Sequence, residues 1–210
     1  MNRKAFTLIE LLIVVAIIAI LALIAVPNFL EAQVRAKVSR AKNDLRSLAV
    51  AIEAYRIDNN EWPIGPQEGA APIWTAFLPP GWPSEYGQWY HLTTPIAYLT
   101  SIPHDTFKRE FNQQWGIWRD FYRFWNLTQK PSPTSGWGTP STYYAKRSGV
   151  MVLMASVGPD AVEDVSDGDA LSFGRAGMVI YDPTNGTVSW GDIYYGIPGI
   201  GFDLQQKILP

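Results

Sequence analysis

At 210 residues the chain has room for an anchor and one head domain. Seventeen basic against nineteen acidic residues leave a net charge of −2, so whole-chain charge favours neither nucleic acid nor another polyanion, and the absence of cysteine excludes a disulfide framework. Nine tryptophans and sixteen prolines point to a loop-rich head packed with aromatic side chains.

Leu11 to Val26 is apolar without a break, and adding Phe6 to Ile9 leaves Glu10 as the only charge in 21 residues. At 1.5 Å per residue this is about 31 Å of helix, enough to cross a bilayer. Arg3 and Lys4 precede it, so the positive-inside rule places the amino terminus in the cytoplasm and the rest of the chain outside it. A secretory signal would end in small residues at a cleavage site. Here the run instead passes through Val26-Pro27 directly into a helical pattern. Glu10 is the anomaly, because a carboxylate in hydrocarbon is disfavoured by about 2.5–3.5 kcal/mol or more.

The next apolar positions are Val34, Val38, Ala41, Leu45, Leu48, Ile52 and Tyr55, with spacings of 4, 3, 4, 3, 4 and 3. That is one narrow stripe along a helix, the pattern of a coiled-coil seam or of a helix lying on a sheet. Anchor and stem are expected to form one helix from Phe6 to Asp58, roughly 80 Å long, provided Pro27 only kinks it. Arg35, Lys37, Arg40, Lys42 and Arg46 make the stem basic, whereas residues 150–210 hold eight acids against Arg175 and Lys207. This contrast suggests head-to-stem contacts between copies, or simply a solvated surface.

Residues 62–140 read as an irregular insert. Within it Thr94-Pro95 resembles an N-cap and first helical residue, with Pro103 ending a short helix near Ser101. The aromatics over 107–125 have helical spacing, yet FYRFWNL (121–127) fits a strand equally well. The tryptophans fit a core better than a sugar-stacking surface. VMVLMASV (150–157) reads as a buried strand, and MVIYDPTNGTVSW (178–190) as strand, turn and strand around Asn185-Gly186. A small antiparallel sheet must cover one face, and the stem stripe is the available partner. The expected architecture is therefore α+β.

The stretch KAFTLIELLIVVAIIAILA (4–22), with Pro27 beyond it, resembles the type IV pilin-like family, and within it the pseudopilins of type II secretion. The resemblance implies a leader of residues 1–5, a membrane and polymerisation helix over 6–27, an amphipathic stem over 28–60 and a head over 61–210, whose last part, 141–210, carries the sheet and an acidic loop. It further implies cleavage between Ala5 and Phe6 by a prepilin peptidase and N-methylation of Phe6, with alanine standing where the family usually has glycine. Glu10 and Pro27 fall where the family places its assembly glutamate and proline. The implied partners are other pilin-like subunits in a helical filament, an assembly platform and its ATPase, and the inner membrane; no nucleic acid is expected. Each Glu10 would pair with the Phe6 ammonium of a neighbour, satisfying two charges inside an apolar core. A surface pilus subunit or a minor tip pilin acting as an adhesin is the alternative.

The loop DAVEDVSDGD (160–169) places five acids in ten residues. Calcium takes six to eight oxygen ligands, and Asp160 and Asp167, then Asp164 and Asp169, are the candidates; a solvated acidic loop fits equally well. Major pseudopilins bind calcium in the loop after the corresponding strand, which is what the resemblance implies here, although no EF-hand frame is present. His91 and His104 are the only histidines, and no nucleophile elbow, phosphate loop or H-E-x-x-H occurs. The expectation is a structural subunit with no required cofactor rather than an enzyme.

Overall fold

The computed structural model describes residues 6–63, 87–107, 121–126, 128, 149–161, 181–182, 184 and 191–198. Helix α1 (Leu8–Asn59) runs 52 residues without interruption, passing through Pro27. Asn60 in the left-handed region caps its end (φ 56°), a conformation asparagine tolerates better than most residues. Among the described residues three short strands, β1 (Arg123–Asn126), β2 (Val152–Ser156) and β3 (Ile193–Ile197), form an antiparallel sheet in the order β1-β2-β3. In its register Phe124 faces Met154, and Met154 faces Tyr195. The fold is α+β, a long helix packed on a small sheet.

The expected stem stripe is what packs. Val38, Ala41, Leu45, Leu48 and Ile52 are buried, and Val34 and Tyr55 flank them at the edge of the same core. They meet Phe124, Val152, Met154, Ile193 and Ile197 from one face of the sheet, with Trp89, Leu92 and Tyr122 closing the side. Trp125, Leu153, Ala155 and Tyr194 on the other face are buried as well. A central strand covered on both faces has no need to alternate, which is why VLMA is apolar without a break. Of the three tryptophans among the described residues, Trp89 and Trp125 lie in the interior, and Trp62 packs at its edge under the Arg56 guanidinium, 4.3 Å from the ring centre.

Two expectations need correction. No helix forms after Thr94-Pro95. Instead the amides of Tyr98 and Leu99 both donate to the Leu92 carbonyl (2.9 and 3.0 Å), and the Tyr98 hydroxyl donates to Asp58 Oδ2 (2.9 Å) while its ring meets Tyr55 edge-on. These contacts with the end of α1 override a local capping signal. The one short helix among the described residues of this stretch, α2 (Gly87–Tyr90), lies earlier. The ambiguity over 121–127 resolves as strand, since β1 supplies a sheet edge. Most of the hairpin expected over 178–190 lies outside the described residues; Tyr181 and Asp182 themselves are not in a strand, though the Tyr181 amide donates to the Asp192 carbonyl. The sheet's last strand, Ile193–Ile197, follows that stretch and was not among the expected elements.

Candidate assembly site

Helix α1 divides into two halves of opposite character. From Leu8 to Leu30 its large apolar side chains are exposed around the whole circumference, Leu8 at 82% and Leu23 at 77%, and Phe6 just before it is exposed as well. From Val38 onward one face is buried in the head. A helix apolar on all sides is stable only when something outside the chain covers it, a bilayer or other helices. By length and composition this helix is able to cross a membrane, and none of its apolar window is buried by the rest of the chain.

The start of the helix explains how Glu10 is held. Thr7 is an extended N-cap, and its hydroxyl oxygen accepts from the Glu10 amide (3.4 Å). In return Glu10 Oε2 accepts from the Thr7 amide (2.9 Å) and the Thr7 hydroxyl (2.6 Å). This is a complete capping box, with the carboxylate at the positive end of the helix dipole. The single chain thus satisfies the charge locally, so Glu10 is not a bare defect in the anchor. The signal was present in the sequence as T-x-x-E over 7–10, and only the charge of Glu10 was read, not its spacing from Thr7. Ala5 lies outside the described residues. Pro27 sits inside the helix with apolar neighbours exposed on either side, Val26 at 53% and Phe29 at 62%.

Polar groups at the stem–head junction fix how the head sits on the helix. The Tyr122 hydroxyl, on a fully buried side chain, donates to Asp44 Oδ2 of the stem (2.9 Å) and lies 3.4 Å from Thr106 Oγ1. Burial, above all, pushes its ionisation well above the usual tyrosine range. Asp105 is buried beside it. Its Oδ1 accepts from Ser156 Oγ (2.7 Å) and the Phe107 amide (3.0 Å), and its Oδ2 from the Val157 amide (3.2 Å). Desolvation outweighs these bonds and raises the carboxyl to about 6. At the sheet's edge Asn126 Nδ2 donates to the Pro63 carbonyl (2.9 Å), tying the segment that leaves α1 to β1. Their pairing is not legible in the sequence, because long-range polar contacts leave no periodic trace.

The four calcium candidates fare unequally. Asp160 accepts from the Gly191 amide (3.3 Å), holding the turn after β2 against the entry to β3; Asp164, Asp167 and Asp169 lie outside the described residues. Among the described residues no three acidic, histidine or cysteine side chains converge as metal ligands would. His91 lies against Tyr55 and Tyr90, and burial lowers its pKa; His104 stacks on Phe121 at 4.6 Å.

Residues 1–26 match the family model for the prokaryotic N-terminal methylation motif. With the exposed apolar half-helix, the capped glutamate and the helix-on-sheet head, this match makes the chain similar to the type IV pilin-like proteins. Among relatives, it is 29% identical to the type II secretion system core protein G of Pseudomonas aeruginosa over 80% of this chain and 92% of that protein. It is 28% identical to the core protein G of Dickeya chrysanthemi, over 52% of this chain and 67% of that one. To the type IV major pilin protein PilA of Myxococcus xanthus it is 54% identical, but over only 26% of this chain and 24% of the pilin. No solved structure matches the chain.

Proposed function

We propose that this protein is a pseudopilin: a structural subunit, not an enzyme, that enters the cytoplasmic membrane as a prepilin with its head outside the cytoplasm, is cut between Ala5 and Phe6, is methylated at Phe6 and polymerises into a filament serving type II secretion. One observation carries the reading. From Leu8 to Leu30 the helix exposes apolar side chains on all sides, with Glu10 and Asn28 the polar exceptions, whereas from Val38 to Ile52 its stripe is already used by the chain's own head. The first half therefore has a surface that only a bilayer or other copies complete, and assembly exchanges one cover for the other. In the filament the Phe6 ammonium of a neighbouring copy replaces Thr7 as the main partner of Glu10, so the charge favours one axial stagger over others. Removing either member of a buried charge pair typically costs about 3–5 kcal/mol.

The type II secretion assignment is supported by coverage. The likeness to a core protein G extends over nine-tenths of that protein, while the likeness to a pilin, though higher, covers only about a quarter of either chain. A platform protein and an ATPase would drive polymerisation, as for the family. Mass spectrometry of the mature terminus, with electron microscopy of sheared filaments, tests the whole reading: an N-methylated Phe6 in filaments supports it, and an intact leader on a chain that never assembles overturns it. Calcium binding by Asp160, Asp164, Asp167 and Asp169 is proposed on the density of acids in that loop. A thermal melt with calcium and with chelator decides it, and equal midpoints remove the metal.

A further inference from the structure

A cleft of 490 Å³ opens between the lower stem and the loop preceding β1, lined by Ala36, Lys37 and Arg40 on the helix and by His104, Asp105 and Thr106 opposite. Its walls offer an ammonium, a guanidinium, an imidazole and a hydroxyl. The one acid present is turned away, because both Asp105 oxygens are engaged by Ser156, Phe107 and Val157. Arg40 is three-quarters exposed and reaches Asp44 only at 3.9 Å, and among the described residues Lys37 makes no ion pair. The cleft is thus shaped and charged for a carboxylate, and no described residue inserts a free one.

We propose that this cleft takes the Glu53 carboxylate of a second copy of the chain, a contact that rests on the filament reading above and sets the axial step of the stems. Glu53 is exposed on α1 and, like Lys37, makes no ion pair among the described residues. At 100° per residue it lies roughly 190° round the helix from the midpoint of Lys37 and Arg40. The base and the acid therefore occupy opposite flanks of one stem. That is the arrangement a heterologous contact requires, since two different patches meet and the repeated displacement builds an open helical filament rather than a closed dimer. Glu53 is 16 and 13 positions beyond Lys37 and Arg40, so the step between stems is about 20–24 Å along the axis. A phospholipid headgroup is the competing anion, and distance disfavours it. Lys37 and Arg40 stand about 10 and 15 Å beyond Leu30, where the continuous exposed apolar half of the helix ends, whereas the headgroup zone adds only about 5–8 Å on each side of the hydrocarbon.

The chain contains no cysteine, so pairs introduced into the full-length protein report without background. Filaments carrying Lys37→Cys with Glu53→Cys are expected to give a ladder of disulfide-linked multimers on mild oxidation. Arg40→Glu is expected to lower filament yield about tenfold, and Arg40→Glu with Glu53→Arg to recover most of it. A thermal melt of Arg40→Glu serves as folding control, and an unchanged midpoint is expected at so exposed a position. Filaments of normal yield in Arg40→Glu, or filaments without a 37–53 ladder, overturn the contact and leave the filament reading standing. A ladder from Asp167→Cys in place of Glu53→Cys reassigns the cleft to the acidic loop. Normal filaments with weakened binding of the monomer to phosphatidylglycerol vesicles reassign it to a headgroup. A wild-type chain that forms no filament under any condition removes both readings together.

Discussion

Ser156, at the end of β2, donates its hydroxyl to Asp105 across 51 residues of sequence, at 2.7 Å and with both side chains buried. The bond anchors the loop over the cleft to the central strand. It also places a carboxylate where water does not reach, and the consequence is a pH-dependent head. Burial raises Asp105 to about 6 from an ordinary 3.8, against the opposing hydrogen bonds of Phe107, Ser156 and Val157. A folded-state pKa above the unfolded one means that the folded chain binds the proton more tightly. The stabilisation is complete below about pH 3.8 and is lost as pH rises through about 6, amounting to about 3 kcal/mol in all. Asp105→Asn is therefore expected to flatten the pH dependence of stability between pH 4 and 7 relative to the wild type. Urea unfolding of both proteins in the same detergent at several pH values checks this, and parallel curves would refute it.

Tyr122 tests the other half of the junction. Its hydroxyl joins the sheet to Asp44 of the stem at 2.9 Å, and Tyr122→Phe removes that bond while keeping the ring that fills the core. Asp44 is only partly buried and regains water, so the loss should be at the lower end of the value of one hydrogen bond to a charged group, about 1.5 kcal/mol. A midpoint shift of that size in denaturant, with filaments still formed, is the expected result. No shift would mean that the tyrosine contributes only its ring.

The stem was legible in the sequence because its signal is periodic: the spacing of Val38, Ala41, Leu45, Leu48 and Ile52 is produced by the same geometry that buries them. The strand Val152–Ser156 was legible as an apolar run for a related reason, being covered on both faces. The loop at Thr94-Pro95 was misread, because a capping signal there is outweighed by Tyr98 reaching Asp58 and Tyr55 some 40 residues away. At the assembly site the charge of Glu10 was plain, but its partner Thr7 was passed over although it stands three residues before it. The junction of Asp44, Asp105, Tyr122 and Ser156 joins four separate segments, and single-sequence patterning carries no information about such pairings.

Gly158 and Gly149 make a matched pair. Both have positive φ, 74° and 71°, but a methyl group on Gly158 would lie 2.2 Å from the Gly191 carbonyl oxygen, whereas one on Gly149 meets nothing within 4 Å. Gly149→Ala should cost only the left-handed backbone penalty, about 1–2 kcal/mol. Gly158→Ala adds a clash with backbone that cannot rotate away, and a total of at least about 3 kcal/mol is expected. The turn it occupies also holds Asp160 against Gly191, so the variant should loosen the join between β2 and β3. Thermal melts of the two variants side by side decide it, and equal losses would show that the close approach relaxes.

Leu48 and Val50 stand two residues apart on α1 and separate stability from assembly. Leu48 is fully buried against the sheet, while Val50 is 68% exposed on the outward face. Leu48→Ala leaves a cavity under the head and is expected to cost about 2–5 kcal/mol. Val50→Ala should change stability by less than about 0.5 kcal/mol. If the outward face of the stem is covered by neighbouring copies in the filament, Val50→Ala lowers filament yield without moving the melting midpoint, and Leu48→Ala does the reverse at temperatures where its head stays folded. The discriminating measurement is the pair of numbers for each variant, midpoint and yield, taken on the same preparation. A Val50→Ala protein that melts and assembles like the wild type would confine the copy-to-copy contacts of the stem to its flanks, where Lys37, Arg40 and Glu53 lie.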